Sequence, residues 1–237
     1  MKCKLVNTNL AICLILTACT KNGQRIAQAK NFYQQSLIAS ESNNREALIL
    51  VDKSLELDHA PRAQALKATL LYQIGQYQNS LKLFEQIRQN SRTPKTLLAD
   101  ISNNYACNLL AVGNIAQASQ VWLELTQNRF YLSPEVAWFN LGLLTYSQIP
   151  EKPKYDLNEI NLLQQAGRDF QQAIKLNSDY IDSLLYLSLT LIRLQRYEEA
   201  RQDLIQIIGI MPDHTQAKQL LKQLSQISLH TQRNSMC

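Results

Sequence analysis

Residues 166–176 read AGRDFQQAIKL. Ala166 and Phe170 stand four apart, which puts a small and a large side chain on one face of a helix. The same arrangement, Ala or Ser followed four residues later by an apolar side chain, recurs at Ala47 and Val51, Ser80 and Phe84, Ala118 and Trp122, and Ala200 and Leu204. Each of these segments is preceded by another helical pattern and a short connection, two of which carry Gly75-Gln76-Tyr77 and Gly113-Asn114-Ile115. Small residues let two antiparallel helices approach closely, and a large residue of a neighbour fills the notch.

The small residues are spaced by 33, 38, 48 and 34 positions. Two of these spacings match the 34-residue tetratricopeptide period within one residue. Trp138-Phe139-Asn140-Leu141-Gly142 resembles the opening helix of such a repeat, and residues 166–176 resemble its second helix. Arg196-Tyr197-Glu198-Glu199-Ala200-Arg201 and Pro212 are similar to the next repeat. The resemblance implies an all-α tetratricopeptide-repeat superhelix of about five helical hairpins. A C-terminal capping helix, His214 to Leu229, follows them and gives the array its polar outer face. Pro61, Pro94, Pro134 and Pro212 fall between repeats, and Pro150 and Pro153 fall inside one long connection. None breaks a helix, as the missing N–H and the ring clash require. No segment shows the alternation of a strand.

Residues 1–22 read MKCKLVNTNLAICLILTACTKN. Lys2 and Lys4 precede a short apolar run, too brief to span a bilayer, and Leu16-Thr17-Ala18-Cys19 follows. This is the order of a secretory signal peptide. The tetrapeptide resembles the lipobox of bacterial lipoproteins, which implies diacylglycerol on the Cys19 thiol, cleavage before it and acylation of the new amine. Two chains already anchor a protein stably, at about 0.8 kcal/mol per buried methylene. The expected organisation is a signal peptide over 1–18, a lipidated polar tether over 19–25, the repeat domain over 26–229 and a disordered tail over 230–237. Thr20 stands where an aspartate retains such lipoproteins in the inner membrane. The resemblance therefore implies an outer-membrane location facing the periplasm.

The formal net charge of +5 falls to +3 once Lys2 and Lys4 leave with the leader. That mild excess, without a basic run or an aromatic-interleaved patch, argues against nucleic acid as a partner. Cys3 and Cys13 also leave, so Cys107 and Cys237 remain beside the lipidated Cys19. A bridge between the two is open in an oxidising compartment. The helical setting of Cys107 favours a small buried hydrophobe, and the terminal position of Cys237 favours a free thiol.

Catalytic constellations are scarce. His59, His214 and His230 have no second ligand at metal spacing. The six glycines are scattered rather than gathered in a phosphate loop. The chain reads as non-catalytic, with no cofactor and no metal.

Beyond its packing stripe, each opening helix has a second stripe, expected on the concave side of the array. In the fourth repeat this is Val136, Phe139, Leu143 and Tyr146, and in the fifth Asp182, Leu185, Leu189 and Ile192. In the second it is Arg62, Ala65, Thr69 and Tyr72, and in the third Asp100, Asn103, Cys107 and Leu110. The candidate partner-binding residues are Tyr72, Asn103, Leu110, Phe139, Leu143, Tyr146, Leu185, Leu189 and Ile192. A helix apolar over most of its circumference has to be covered. The C-terminal helix, a partner segment or ordinary inter-helix packing each satisfies that need. Residues 147–158, SQIPEKPKYDLN, are an insertion of 12 within the fourth repeat, read either as a surface loop on the working face or as length variation. Phe130 and Tyr131 read as a wedge between repeats or an exposed contact patch.

Asn103-Asn104-Tyr105 resembles the Asn-Asn-Tyr/Phe-Gly of the type IV pilus biogenesis lipoproteins that act as secretin pilotins. So does Asn128-Arg129-Phe130-Tyr131-Leu132-Ser133-Pro134, followed by Ala137, Asn140, Leu141 and Gly142. The likeness covers about residues 97–205 and the leader. Ala106 stands in place of the family glycine, and Arg129-Phe130 in place of Pro-Leu. The resemblance implies a monomeric outer-membrane lipoprotein that binds a secretin subunit, or another pilus or secretion subunit, and promotes its assembly. A generic periplasmic repeat scaffold for another secretion, tight-adherence or envelope-assembly complex is the alternative.

Overall fold

The computed structural model describes the backbone of residues 9–91 and 93–235, and side chains over 21–91 and 93–226. Helices account for the ordered segments, and no strand occurs among the described residues. In chain order they are α1 (Asn9–Ala39), α2 (Asn44–Leu57), α3 (Pro61–Gln73), α4 (Tyr77–Gln89), α5 (Lys95–Ala111), α6 (Ile115–Thr126), α7 (Pro134–Ser147), α8 (Leu157–Leu176), α9 (Ile181–Arg193), α10 (Tyr197–Ile210) and α11 (Thr215–Ser235). As expected, α1 packs on α2, α3 on α4, α7 on α8 and α9 on α10, and α11 follows as a final helix. Pro61 and Pro134 open α3 and α7, where the missing N–H would have no intrahelical partner in any case.

Three helices, α3, α5 and α9, end in the same turn. The N–H of Gln76 donates to Leu71 O at 2.8 Å and that of Gly75 to Tyr72 O at 2.9 Å. Asn114 and Gly113 bond Leu109 O and Leu110 O in the same way, and Arg196 and Gln195 bond Leu191 O and Ile192 O. This is the Schellman pattern, which needs a left-handed residue just past the helix end. Gly75 and Gly113 supply it at φ +80° and +84°. Gln195 takes the same place at φ 60°, so the turn is imposed there without the residue that suits it best.

Contacts divide the chain into two compact units, Met1–Asn114 with α1–α5 and Ile115–Cys237 with α6–α11. The small residues behave alike in both. Ala47, Ser80, Ala118, Ala166 and Ala200 are fully buried, and so are Val51, Phe84, Phe170 and Leu204. Trp122 is 2% exposed. In the first unit the helices come close enough for hydroxyls to reach a neighbour's backbone. Ser36 donates to Ala47 O at 2.7 Å, Ser54 to Ala29 O at 2.8 Å and Ser80 to Ala68 O at 2.6 Å. Each uses the spare lone pair of a helical carbonyl. Asn108 of α5 is fully buried. With its amide oriented to satisfy both ends, it donates to Tyr77 O at 3.1 Å and accepts from Leu81 N at 3.0 Å, entering the first turn of α4. In the second unit the core runs from Ala166 and Phe170 through Leu184, Leu187 and Leu191 to Leu204, Ile207 and Leu224. Leu224 brings α11 onto α10, as a cap requires.

The structure differs from the sequence expectation in three places. Residues 21–25 are not a separate tether but part of α1, and Arg25 is docked on α2: its Nε donates to Leu57 O at 2.8 Å and a second nitrogen to Glu56 O at 3.3 Å. These are the orphan carbonyls at a helix end, a natural seat for a cation. The insertion is a loop over 148–156, and only its two ends belong to helices. Asp156 and Glu159 form a capping box, with both bonds at 2.9 Å, and start α8 at Leu157, which gives it 20 residues. At the other end α11 continues to Ser235, past the expected limit at Leu229. The signal-peptide side chains, that of Cys19 and that of Cys237 lie outside the described residues. No helix among the described residues is long and apolar enough to cross a membrane.

Gly142 of α7 faces Phe170 of α8. A Cβ there would lie 2.8 Å from Phe170 Cε1 and 3.1 Å from Ala166 O. Overpacking a fixed core of this kind costs about 1–3 kcal/mol, more than the helix-propensity gain of at most about 1 kcal/mol. Gly142→Ala should therefore lower stability in urea unfolding. Gly209→Ala, with nothing within 4 Å of its Cβ, should raise it by up to about 1 kcal/mol.

Candidate functional site

In the second unit, the opening helices α7 and α9 meet through aromatic rings. Phe139 lies 5.8 Å from Phe170, 5.4 Å from Tyr180 and 5.7 Å from Tyr186, centroid to centroid. Tyr146 lies 5.6 Å from Tyr186 with the planes at 87°. These tilted and edge-on arrangements match the ring quadrupoles. Arg193 lays its guanidinium 4.0 Å from the Tyr146 centroid and donates to Ile149 O at 2.9 Å. One cation thus pins the start of the α7–α8 connection to α9. Burial raises the Tyr146 phenol, with Arg193 opposing. Burial, reinforced by Asp182 and Glu135, pushes Tyr180 up to about 12. Both phenols stay neutral at physiological pH, so the cluster presents rings and hydroxyls rather than charge.

The candidate residues of this unit divide between core and surface. Leu185 is 7% exposed and belongs to the core, so it is not available to a partner. Phe139, Leu143, Tyr146, Leu189 and Ile192 are half-buried and packed against that core. Tyr186 and Arg193 were not among the expected residues, yet they make the contacts that join α9 to α7. Tyr131 is buried and Phe130 half-buried, with Arg129 stacked 4.8 Å from the Phe130 centroid.

In the first unit the opening helices α1, α3 and α5 line a shallow depression of about 300 Å³. Tyr33 contributes from α1, Arg62, Ala65 and Thr69 from α3, and Thr96, Asp100 and Asn104 from α5. Asn104 Nδ2 donates to Thr69 Oγ1 at 3.3 Å, a bond across two opening helices. The surface is more polar than apolar, with a cation and a carboxylate in its wall beside Leu66, Leu97 and Ile101. Of the candidate residues, Tyr72 is half-buried with its ring 5.4 Å from Tyr77. Asn103 is half-buried with its amide nitrogen 3.5 Å from Asn104 Oδ1. Leu110 is exposed at the end of α5. None of the three lines the depression. Cys107 is a free, half-buried thiol whose pKa is raised by burial.

Comparison with solved structures assigns this architecture. PilF of Pseudomonas aeruginosa is similar over 86% of this chain and 86% of that chain, at 19% identity and a TM-score of 0.68. PilW, a widely conserved type IV pilus biogenesis factor, is similar over 84% of both chains, at 14% identity and a TM-score of 0.66. YrrB, a TPR protein with an unusual peptide-binding site, is similar over 87% of this chain and 97% of that one, at 18% identity and a TM-score of 0.53. The fold is the tetratricopeptide repeat. No family model matches the sequence. No curated protein matches it either.

Among the described residues no group of three or more His, Cys, Asp or Glu is placed to hold a metal ion. His214 accepts from Ala217 N at 3.1 Å and so caps α11. Two carboxylates are strained by burial. Asp203 of α10 has an oxygen with no hydrogen-bond partner and is pushed up to about 6, first by burial and then by Glu199. Asp169 of α8 is also pushed up to about 6 by burial, with Arg168 opposing.

Both aspartates bind protons more tightly folded than unfolded, where the usual value is about 3.9. Their contribution is present below pH 4 and is lost as the pH rises through about 6. Asp203→Asn should make the protein more stable at pH 7 and flatten the stability profile between pH 4 and 6; an unchanged slope would rule out Asp203 as its source. Arg193→Met removes the cation from Tyr146 and the donor from Ile149 O. It should speed amide exchange over 148–156 and cost about 1–2 kcal/mol.

Proposed function

We propose that this protein is an outer-membrane lipoprotein, anchored through acylated Cys19 and facing the periplasm. In this reading it serves as a non-catalytic, monomeric adaptor in type IV pilus biogenesis that binds a secretin subunit and promotes its assembly. The observation that carries the reading is the match of PilF and PilW over more than four-fifths of each chain. The lipobox-like Leu16-Thr17-Ala18-Cys19 at the head of the array and the Asn103 and Asn128 motifs within it support it further. The mechanism is positioning. The lipid sets the compartment, and the exposed parts of the opening helices offer a preformed surface whose ordering entropy is already met by packing. A polar depression in the first unit suits main-chain hydrogen bonding, and a ring-lined face in the second suits apolar side chains.

Deletion of the gene should abolish heat-stable secretin multimers in the outer membrane. Persistence of those multimers would reassign the protein to another envelope complex. Cys19→Ser should yield a chain without lipid, released from the membrane fraction, as read by the mass of the N-terminal peptide and by fractionation.

A further inference from the structure

We propose that one edge of the first unit, formed by the α2–α3 and α4–α5 connections, lies against the lipid surface, and that the polar depression opens beside that surface. The proposal rests on the lipidation of Cys19 proposed above and adds an orientation to it. Arg25 is the first residue clamped to the body of the unit, through Leu57 O and Glu56 O. Four residues on, Ala29 is buried and its carbonyl accepts from Ser54. The packed body therefore begins six residues past the anchor. Six residues span about 9 Å as helix. Fully extended they reach only about 20 Å. In the helical conformation these residues have in α1 the shorter span applies, which keeps the edge that carries Arg25 nearest the bilayer.

Which edge is held there follows from the chain path. The Arg25 clamp puts the first packed turn of α1 beside the end of α2. Residues 58–60 then return the chain at once into α3, and residues 90–94 carry it from α4 into α5. The antiparallel pairs thus bring the starts of α3 and α5 to the edge where α1 enters. The depression agrees with this path, because it gathers Arg62 and Thr69 of α3 with Thr96 and Asn104 of α5 around Tyr33 of α1. The opposite edge, with the turns at Glu41, Gly75 and Gly113, stands at the far end of α1, about 20 Å away along 14 residues of helix. Lys21 and Arg62 are exposed at the near edge, where cations are attracted to anionic headgroups. The depression runs from Arg62 and Thr96 at this edge to Tyr33, Thr69 and Asn104, about 12 Å farther along their helices.

The test uses the full-length lipidated protein in phosphatidylethanolamine–phosphatidylglycerol vesicles that carry a quencher on a headgroup. A fluorophore is placed at His59→Cys or at Glu41→Cys, both exposed positions, in a Cys107→Ser, Cys237→Ser background. Quenching should be several-fold stronger at position 59 than at position 41. Arg25→Ala should keep the lipid and lose the contrast. Equal quenching at the two positions, on protein whose N-terminal peptide carries the acyl mass, would overturn the orientation and leave the anchor standing. A contrast unchanged in Arg25→Ala would overturn the clamp as its cause. An N-terminal peptide without acyl mass would overturn both the orientation and the anchor.

Discussion

The close approach of paired helices governs this structure. At one position of each second helix the side chain has shrunk to Ala or Ser, and four residues later a large apolar group is buried. The pairing works because backbone then packs on backbone. In the first unit the approach is tight enough for serine hydroxyls to bond the carbonyls of a neighbouring helix at 2.6–2.8 Å. At Gly142 it leaves no room for a single methyl group beside Phe170. Interiors packed at crystal-like density transmit such constraints, so the repeat spacing and the direction of each opening helix follow from these contacts.

The exposed surfaces are consequences of that packing. Once the second helices are buried against their partners, the opening helices keep a face that is only half-covered. In the second unit that face is closed by ring-on-ring contacts and by Arg193, so much of what reads as a binding stripe is also the join between successive repeats. In the first unit the corresponding face is polar, and it holds a depression whose walls come from three opening helices. Which rings, amides and charges stay uncovered is therefore set by the packing.

The ends of the elements show local chemistry yielding to tertiary demand. Gly75 and Gly113 suit the left-handed turn they make, whereas Gln195 adopts the same conformation because α9 and α10 must close with the same geometry. Asp203 keeps a carboxylate oxygen without a partner in a half-buried site, and the cost appears as a raised pKa. Asn108 leaves no trace in periodicity, yet it enters a turn of the adjacent helix. Such residues acquire their role only from the neighbour that folding supplies.

The repeat itself was legible in the primary structure. The i, i+4 pairing of small and large residues, the prolines at repeat boundaries and the glycine turns are local signals, and local signals suffice for a fold made of near-neighbour contacts. The candidate site was legible only in part. On α9 the sets 182, 185, 189, 192 and 182, 186, 189, 193 fit a helical stripe equally well, so periodicity alone could not tell that Leu185 turns into the core while Tyr186 and Arg193 meet α7. The same holds for Arg25, whose role depends on carbonyls 31 and 32 residues away, and for the end of the insertion, where a capping box starts α8 at Leu157. The chain by itself determined that helices would pair and where each pair would begin. Only the tertiary structure decided which side chains those pairs would leave uncovered, because exposure depends on what packs opposite and not on the residue alone.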